Sequence, residues 1–287
     1  MNRWNPHKLK DESGNLLNYT PSWTNWQIAL YSEILKKTEK SEDSFSIIIQ
    51  GPINKRSINT IPDYLKYGKV IVSHWEGDDE SLLKPYLGEI EVAKSDYKEV
   101  KNFFKQPGKQ APWVYQHQTT LKGLELSESY FSIKLRSDES FPDLDALVKK
   151  LRQNRDQKDE FTKKYNWFKI VTSNIYFRFD HENKFHPSDH IVAGATSRMK
   201  ESFSRAKYLC KRKPEARFPE QLLCKAIMET MRDKLIPEDS ESLMKKHFDV
   251  IRIKDLKRHI WTSSYRKYDP LISEENWCND INNVKIK

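Results

Sequence analysis

The sequence contains few cysteines and no long run of apolar residues. The three cysteines, Cys210, Cys224 and Cys278, are far apart and odd in number, and none belongs to a CxxC motif or a Cys/His pair at zinc-ligand spacing. This pattern argues against a disulfide framework and against a cysteine-based zinc site, so we expect reduced thiols with a structural role. No segment approaches the roughly 20 consecutive apolar residues of a membrane-spanning helix.

The sequence also begins without the apolar segment of a signal peptide. Its first residues read MNRWNPHKLKDESGN, a polar stretch with no hydrophobic core region. We therefore expect a cytoplasmic protein that can contact a membrane at its surface. No internal repeat, low-complexity segment or clear linker divides the chain, which predicts a single domain. We assign residues 1–44 to an N-terminal arm and a helix packed on this domain, residues 45–260 to the domain itself, and residues 261–287 to a C-terminal tail.

The balance of charge does not identify a partner. The chain has 50 basic and 41 acidic residues and a formal net charge of +9. A basic chain of this kind admits nucleic acid, an anionic membrane surface or a phosphorylated ligand as a partner. Basic and aromatic residues nevertheless form no interleaved stripe and no known nucleic-acid motif. Nucleic acid is therefore not expected as a partner.

Three short segments have the pattern of strands in one sheet. Residues Phe45–Ile49 are almost continuously apolar and are followed by Gln50-Gly51-Pro52, which suits a strand buried on both faces. A helical pattern at Ile58–Tyr67 leads to a second strand at Lys69–Ser73, and this order predicts parallel pairing with a right-handed crossover. Alternating residues at Phe131–Leu135 indicate another strand. The sequence predicts an α/β fold with a mixed, mainly parallel sheet flanked by helices.

Further elements are expected along the rest of the chain. We predict helices at Ser22–Lys37, Val114–Ser127, Leu144–Asn154, Met199–Leu209 and Pro219–Leu235, and strands at Glu89–Val92, within Trp167–Phe179, after His190 and at Phe248–Ile253.

Polar residues follow the predicted strands at their carboxyl ends. Open α/β sheets bind their ligands at this edge. The acidic pair Asp138 and Glu139, directly after the strand at Phe131–Leu135, could hold a divalent cation that in turn holds a diphosphate. From the predicted helix at Val114–Ser127, the polar residues Gln116, Gln118, Thr119 and Lys122 could face the same edge, where Lys122 could pair with a phosphate.

Several short blocks, in order, resemble the WavE-type lipopolysaccharide-synthesis family. The blocks are SIIIQGPI at 46–53, KVIVSHWEGD at 69–78, QHQTTLKGLELS at 116–127, IKLRSDESF at 133–141 and SDHIVAGAT at 188–196. The family is regarded as glycosyltransferases with the Rossmann-like GT-A fold that use a nucleotide-diphosphate sugar. Similar domains occur in bacterial surface-polysaccharide clusters and in large DNA viruses. The resemblance implies a UDP-sugar donor, a glycan acceptor and Mn²⁺ or Mg²⁺ as cofactor.

The resemblance also implies roles for individual residues. The loop of Gln50, Gly51, Pro52 and Ile53 would pack against the base and ribose, and Ser73 and Trp75 would flank the base. The segment Arg136-Ser137-Asp138 would occupy the place of the family's Asp-x-Asp motif, although its first position is arginine. Asp138, with Glu139 in reserve, would bind the metal, and Arg136 would offset part of the diphosphate charge.

An inverting transfer also needs a carboxylate that takes the proton of the acceptor hydroxyl. Asp189, just before an apolar strand, and Glu220, in the first turn of a predicted helix, are the candidates. His186, His190 and His259 are weaker candidates for contacts with metal or phosphate.

Two other classes of function stay open. The first is a non-catalytic protein of the same fold that binds a nucleotide sugar or a carbohydrate. The arginine in place of the first motif aspartate favours it. The second is a nucleotidyltransferase or nucleic-acid-binding protein, which the positive charge would suit.

Overall fold

The structure, a computed structural model, describes residues 43–103, 111–157, 168–175, 177, 184–210, 216, 218–230, 240–256 and 260–261. Contacts between residues divide the chain into two units, Met1–Ser41 and Glu42–Lys287, and all described residues belong to the second. The predicted helix at Ser22–Lys37, His259 and the C-terminal tail after Trp261, which includes Cys278, lie outside the described residues.

The second unit is built on a seven-stranded sheet with the order β3-β2-β1-β4-β7-β6-β8. Its strands are β1 Phe45–Gln50, β2 Lys69–Trp75, β3 Ile90–Ser95, β4 Phe131–Arg136, β6 Ile170–Ser173, β7 Ile191–Ala195 and β8 Phe248–Ile251. A separate pair consists of β5 Glu139–Ser140 and β9 Ile260–Trp261. Strand β7 runs antiparallel to both of its neighbours, β4 and β6, whereas the other pairs in the large sheet are parallel. The prediction of a mixed, mainly parallel sheet is therefore confirmed.

Helices connect the strands and cover the sheet. They are α1 Lys55–Asn59, α2 Ile61–Leu65, α3 Tyr97–Phe103, α4 Ala111–Leu126, α5 Asp145–Asp156, α6 Thr196–Cys210, α7 Pro219–Thr230 and α8 Ser240–His247, with 3₁₀ turns at Glu80–Tyr86 and Ile253–Asp255. Helix α5 shows why such segments are helical: Leu147, Val148, Leu151 and Asn154 are buried at helical spacing while the opposite side faces solvent.

Strand β1 lies at the centre of two hydrophobic cores. All six of its residues are buried. Because successive side chains of a strand point to opposite faces, Ile47 and Ile49 join one core and Ile48 joins the other. Helices α1, α2 and α5 contribute to the first core, and helices α4, α6 and α7 contribute to the second. The sheet is thus covered on both faces, as the apolar run predicts.

The direction of β7 determines what meets at one edge of the sheet. Leu135 in β4 pairs with Ile191 in β7, and the two strands are antiparallel. The residues before β7 therefore lie beside the residues that follow β1, β2 and β4. Strand order and direction bring Asp189 and His190 to the edge where open α/β sheets bind ligands.

Some predicted boundaries differ from the structure. The helix predicted at Ile58–Tyr67 is two short helices, α1 and α2, and Pro62 lies in the first turn of α2, where its missing N–H costs no helical hydrogen bond. The last predicted strand ends at Ile251 because a 3₁₀ turn begins at Ile253. In the described part of Trp167–Phe179, only Ile170–Ser173 forms a strand.

None of the described helices is long and apolar enough to cross a membrane.

Candidate functional site

A cavity of about 430 Å³ opens at the carboxyl edge of β1, β2 and β4. It is lined by Gln50, Gly51, Pro52, Ile53, Asn54, Trp75, Tyr115, Gln116, Arg136, Ser137, Asp138 and Asp189. Most of the residues proposed from the sequence therefore share one cavity. Its volume is within the range of about 300–1,000 Å³ that is usual for small-molecule sites.

The loops after β1 and β4 are in direct contact. The main-chain N–H of Ser137 donates to the carbonyl of Gln50 at 2.9 Å, and that of Gly51 donates to the carbonyl of Ser73 at 3.0 Å. Gly51 has a φ of +125°, and a Cβ there would lie 2.5 Å from Ser137 Oγ. Position 51 therefore needs glycine for two reasons. Ser137 leaves no room for a Cβ, and residues other than glycine rarely adopt this backbone conformation.

Arg136 lies between two carboxylates at the base of the cavity. Its Nε and one terminal nitrogen donate to the two oxygens of Asp138 at 2.9 and 2.7 Å. The other terminal nitrogen lies 3.4 Å from Asp189 Oδ2. Burial acts to lower the pKa of Arg136, but Asp189 and Asp138 outweigh it and raise that pKa above its ordinary value. The guanidinium is thus fixed by negative charges on two sides.

Asp189 is the buried centre of this charge network. Lys134 Nζ lies 3.8 Å from Asp189 Oδ2 and donates to the main-chain oxygen of Asp189, and Gln116 donates to the same carboxylate. Burial acts to raise the pKa of Asp189, but the charges of Arg136 and Lys134 outweigh it and hold that pKa well below its usual range. Asp189 is accordingly a stable anion and a weak base.

Glu139 lies behind the cavity wall. It is buried and its carboxylate contacts Nδ1 of His190, while Arg136 Nε is 3.7 Å away. The residue predicted as a second metal ligand therefore contacts His190 and does not line the cavity.

Three other predicted ligand-binding residues lie outside the cavity. Ser73 is buried beneath α4 and donates to the carbonyl of Thr119. Gln118 donates to Glu99 at 2.8 Å, and Lys122 lies 3.8 Å from both Glu99 and Glu125. Of the residues predicted from α4, Gln116 lines the cavity together with Tyr115, whereas Gln118, Thr119 and Lys122 do not.

Trp75 lines the cavity within an aromatic cluster. Tyr97 stacks on its ring with the centroids 4.3 Å apart, and Tyr115 meets it edge-on at 5.2 Å. The residue is only 5% exposed. Tyr97 thus covers one face of the Trp75 ring, and Tyr115 is the more exposed of the two aromatic residues that line the cavity.

Glu220, in the first turn of α7, lies beyond the cavity near His186. The closest atoms of the two side chains, His186 Nε2 and Glu220 Oε2, are 3.5 Å apart. The ring of Phe218, which is 36% exposed, meets the His186 ring edge-on at 5.1 Å. Burial and the negative charge of Asp189 raise the pKa of Glu220 to about 8. Glu220 thus combines a basic carboxylate with a partly exposed aromatic neighbour.

Few side chains of the described residues are placed to coordinate a divalent cation. Within these residues no group of three or more His, Cys, Asp or Glu side chains is arranged to hold a metal ion. Mg²⁺ is usually bound by one or two carboxylates together with substrate phosphates. Asp138, which lines the cavity, fits a cation site of this kind, which a phosphate ligand must complete.

The fold and the cavity together define a class: an α/β protein with a mainly parallel sheet and a polar ligand site at its carboxyl edge. Residues 45–242 match the model of the WavE family, which is described as lipopolysaccharide synthesis. This match covers more than half of the chain. The protein belongs to the WavE lipopolysaccharide-synthesis family.

Other comparisons add a distant structural likeness. Comparison with curated protein sequences found no match. The apo-form crystal structure of the glycosyltransferase GlyE from Streptococcus pneumoniae TIGR4 is similar, with 12% sequence identity and a TM-score of 0.42. The alignment covers 84% of this chain and 61% of that chain. The present chain thus spans less than two thirds of that protein.

Proposed function

We propose that the protein is a glycosyltransferase of surface-glycan synthesis that moves a sugar from a nucleotide-diphosphate sugar to a hydroxyl of a glycan acceptor. The observation that carries this proposal is the cavity at the carboxyl edge of β1 and β4, with an arginine at its base. Membership of the lipopolysaccharide-synthesis family supports it. A cytoplasmic location with contact to a membrane surface is part of the same proposal.

The donor is proposed to lie along the loops after β1 and β4. Gln50, Gly51, Pro52 and Ile53 line one side of the cavity, where the base and ribose would pack. Arg136 would face the diphosphate, because a guanidinium can donate two parallel hydrogen bonds to phosphate oxygens. UDP is the nucleotide we propose, on the basis of the family. A cation bound at Asp138 would add positive charge beside the departing diphosphate.

The two candidate carboxylates take different roles in this proposal. Neighbouring cations hold the pKa of Asp189 well below its usual range, whereas the pKa of Glu220 is raised to about 8. When the surroundings of two carboxyl groups move their pKa values apart, the group with the raised pKa is suited to exchange a proton and the other stays ionised. Glu220 is proposed as the base, and Asp189 as the anion that positions Arg136.

The proposed reaction is a single displacement. The acceptor oxygen forms a bond to the anomeric carbon of the donor sugar while the bond from that carbon to the diphosphate oxygen breaks. The diphosphate leaves with the electron pair, and the acceptor proton passes to Glu220. The ring of Phe218 packs against His186, which in turn lies beside Glu220. Its exposed part offers an apolar surface for the acceptor sugar.

Calorimetry with UDP, GDP and their common sugar derivatives, with and without Mn²⁺, tests the donor. We expect binding of a UDP compound in the micromolar range, weakened in Arg136→Met. Arg205→Met is the matched control, because Arg205 is also paired with a carboxylate, Glu229, at 2.7 Å and lies on α6 away from the cavity. Absence of binding by every nucleotide would contradict the proposal. Binding without hydrolysis or transfer would favour a non-catalytic binding protein.

A further inference from the structure

The carboxylate that would bind a cation is engaged by Arg136, the last residue of β4. Both oxygens of Asp138 accept hydrogen bonds from Arg136, at 2.9 and 2.7 Å. The two side chains are 23% and 31% exposed and both line the cavity. A ligand that enters the cavity can therefore reach either partner of this pair.

Arg136 and a divalent cation need the same oxygens. A cation at 2.0–2.1 Å from a carboxylate oxygen takes the lone pairs and the space that the guanidinium uses. The two positive charges would also repel each other if both stayed on Asp138. Cation binding at Asp138 therefore requires Arg136 to move away from it.

A diphosphate is a suitable ligand to move Arg136. It offers several negatively charged oxygens, and a guanidinium binds phosphate and carboxylate with the same two-pronged geometry. Asp189 holds the far side of the guanidinium at 3.4 Å and is itself fixed by Lys134 and Gln116. Arg136 can thus turn from Asp138 toward the cavity while it keeps its contact with Asp189.

We propose that Arg136 blocks the cation site in the donor-free protein, and that the donor diphosphate opens it by drawing Arg136 away from Asp138. This inference rests on the proposed function, since it requires a diphosphate ligand. A carboxylate left beside a diphosphate without positive charge would be repelled by it. The released Asp138 would then hold a cation that supplies positive charge beside the diphosphate, so cation and donor would bind together.

The test is Mn²⁺ binding without nucleotide, measured from the electron paramagnetic resonance signal of free Mn²⁺. For the wild-type protein we expect weak binding that UDP strengthens at least about tenfold, beyond the affinity of UDP itself for Mn²⁺. Arg136→Met should bind Mn²⁺ without nucleotide about tenfold more tightly than the wild type. The double variant Arg136→Met/Asp138→Asn should lose this gain.

Two further variants keep the test decisive. Arg136→Lys retains the positive charge but forms no two-pronged pair with Asp138, so its Mn²⁺ affinity should lie between those of wild type and Arg136→Met. Arg205→Met removes a paired arginine elsewhere and should leave Mn²⁺ binding unchanged. Thermal melting confirms that each variant is folded.

Specific results would overturn the inference. Wild-type protein that binds Mn²⁺ without nucleotide as tightly as Arg136→Met does would show that Arg136 is no obstacle. The inference would also be wrong if Mn²⁺ bound neither protein even with UDP present. UDP binding and sugar transfer are measured separately from Mn²⁺ binding. A failure of the proposed function can therefore be told apart from a failure of this inference.

Discussion

At the scale of single residues, Asp138 is the cavity carboxylate that is proposed to hold a cation beside the departing diphosphate. Asp138→Asn keeps the size of the side chain and removes its charge. Loss of one such electrostatic group typically slows a reaction on the order of a hundredfold. An ion pair that is partly exposed stabilises the fold by roughly 0–1 kcal/mol, so the melting temperature should change little. Steady-state kinetics and thermal melting of the purified variant measure both effects.

Asp63→Asn is a suitable control for this prediction. Asp63 lies on α2 and pairs with Lys66 at 2.8 Å on the surface. This substitution also removes one carboxylate from the surface, and we expect wild-type turnover. Near-normal turnover in Asp138→Asn would mean that the reaction does not use this carboxylate.

Glu220 should act as the base whose ionisation limits the rate. Because the pKa of Glu220 is raised to about 8, transfer should increase as the pH approaches 8. Glu220→Gln should lose this pH dependence and slow transfer by roughly 10²–10⁴-fold. A pH–rate profile of both proteins is the measurement, and a variant with an unchanged profile would exclude Glu220 as the base.

The same substitution should change how stability depends on pH. The folded state binds the Glu220 proton more tightly than the unfolded state, so this group stabilises the fold at low pH. That contribution declines as the pH rises from about 4.5 and is lost above about 8. Melting curves of Glu220→Gln should lack this decline.

Asp189→Asn, in contrast, leaves Lys134 buried without its carboxylate and should destabilise the fold by about 3 kcal/mol.

At the scale of elements, helix α4 brings both Tyr115 and Gln116 to the cavity. It can do so because Gly123 allows it to lie close to β1 and β2. A Cβ at Gly123 would lie 2.5 Å from Ile48 Cγ2 and 3.1 Å from Ser73 Cβ. Gly123→Ala should therefore destabilise the protein by about 1–3 kcal/mol, because such overpacking forces neighbouring atoms to shift.

Chemical denaturation measures this effect. Lys122→Ala, one residue away on the exposed side of α4, should unfold at nearly the wild-type denaturant concentration. Gly123→Ala should also weaken nucleotide binding, since a displaced α4 moves Tyr115 and Gln116. Equal stability of the two variants would contradict the close packing.

Helix α4 also shows the limit of periodicity as a guide to a site. The sequence predicts the helix itself and places Gln116, Gln118, Thr119 and Lys122 at the sheet edge, but of these four residues Gln116 alone lines the cavity. The helix packs on the sheet on one side and on α6 on another. An element that is buried on more than one side has no single polar face, so its apolar spacing does not reveal which polar side chains reach the cavity.

At the scale of the whole molecule, the order of strands explains what could be predicted. Runs such as Phe45–Ile49 identify buried strands, and a helix between two strands implies parallel pairing, so the centre of the sheet follows from sequence. The direction of β7 does not, because an apolar strand has the same pattern in either direction. The pairing of Arg136 with Asp138 likewise depends on side-chain conformation, which a sequence pattern does not encode.

The reversed strand β7 has an evolutionary consequence. Residues 50–138 supply the proposed donor half of the site, whereas Asp189 and Glu220 come from a later part of the chain. Mutations around Glu220, which lies outside the cavity, can therefore accumulate with less effect on the donor loops, so donor and acceptor preference can diverge separately among descendants of one ancestral gene. Asp189 contacts Arg136 and also acts electrostatically on Glu220, so its replacement would affect both preferences at once.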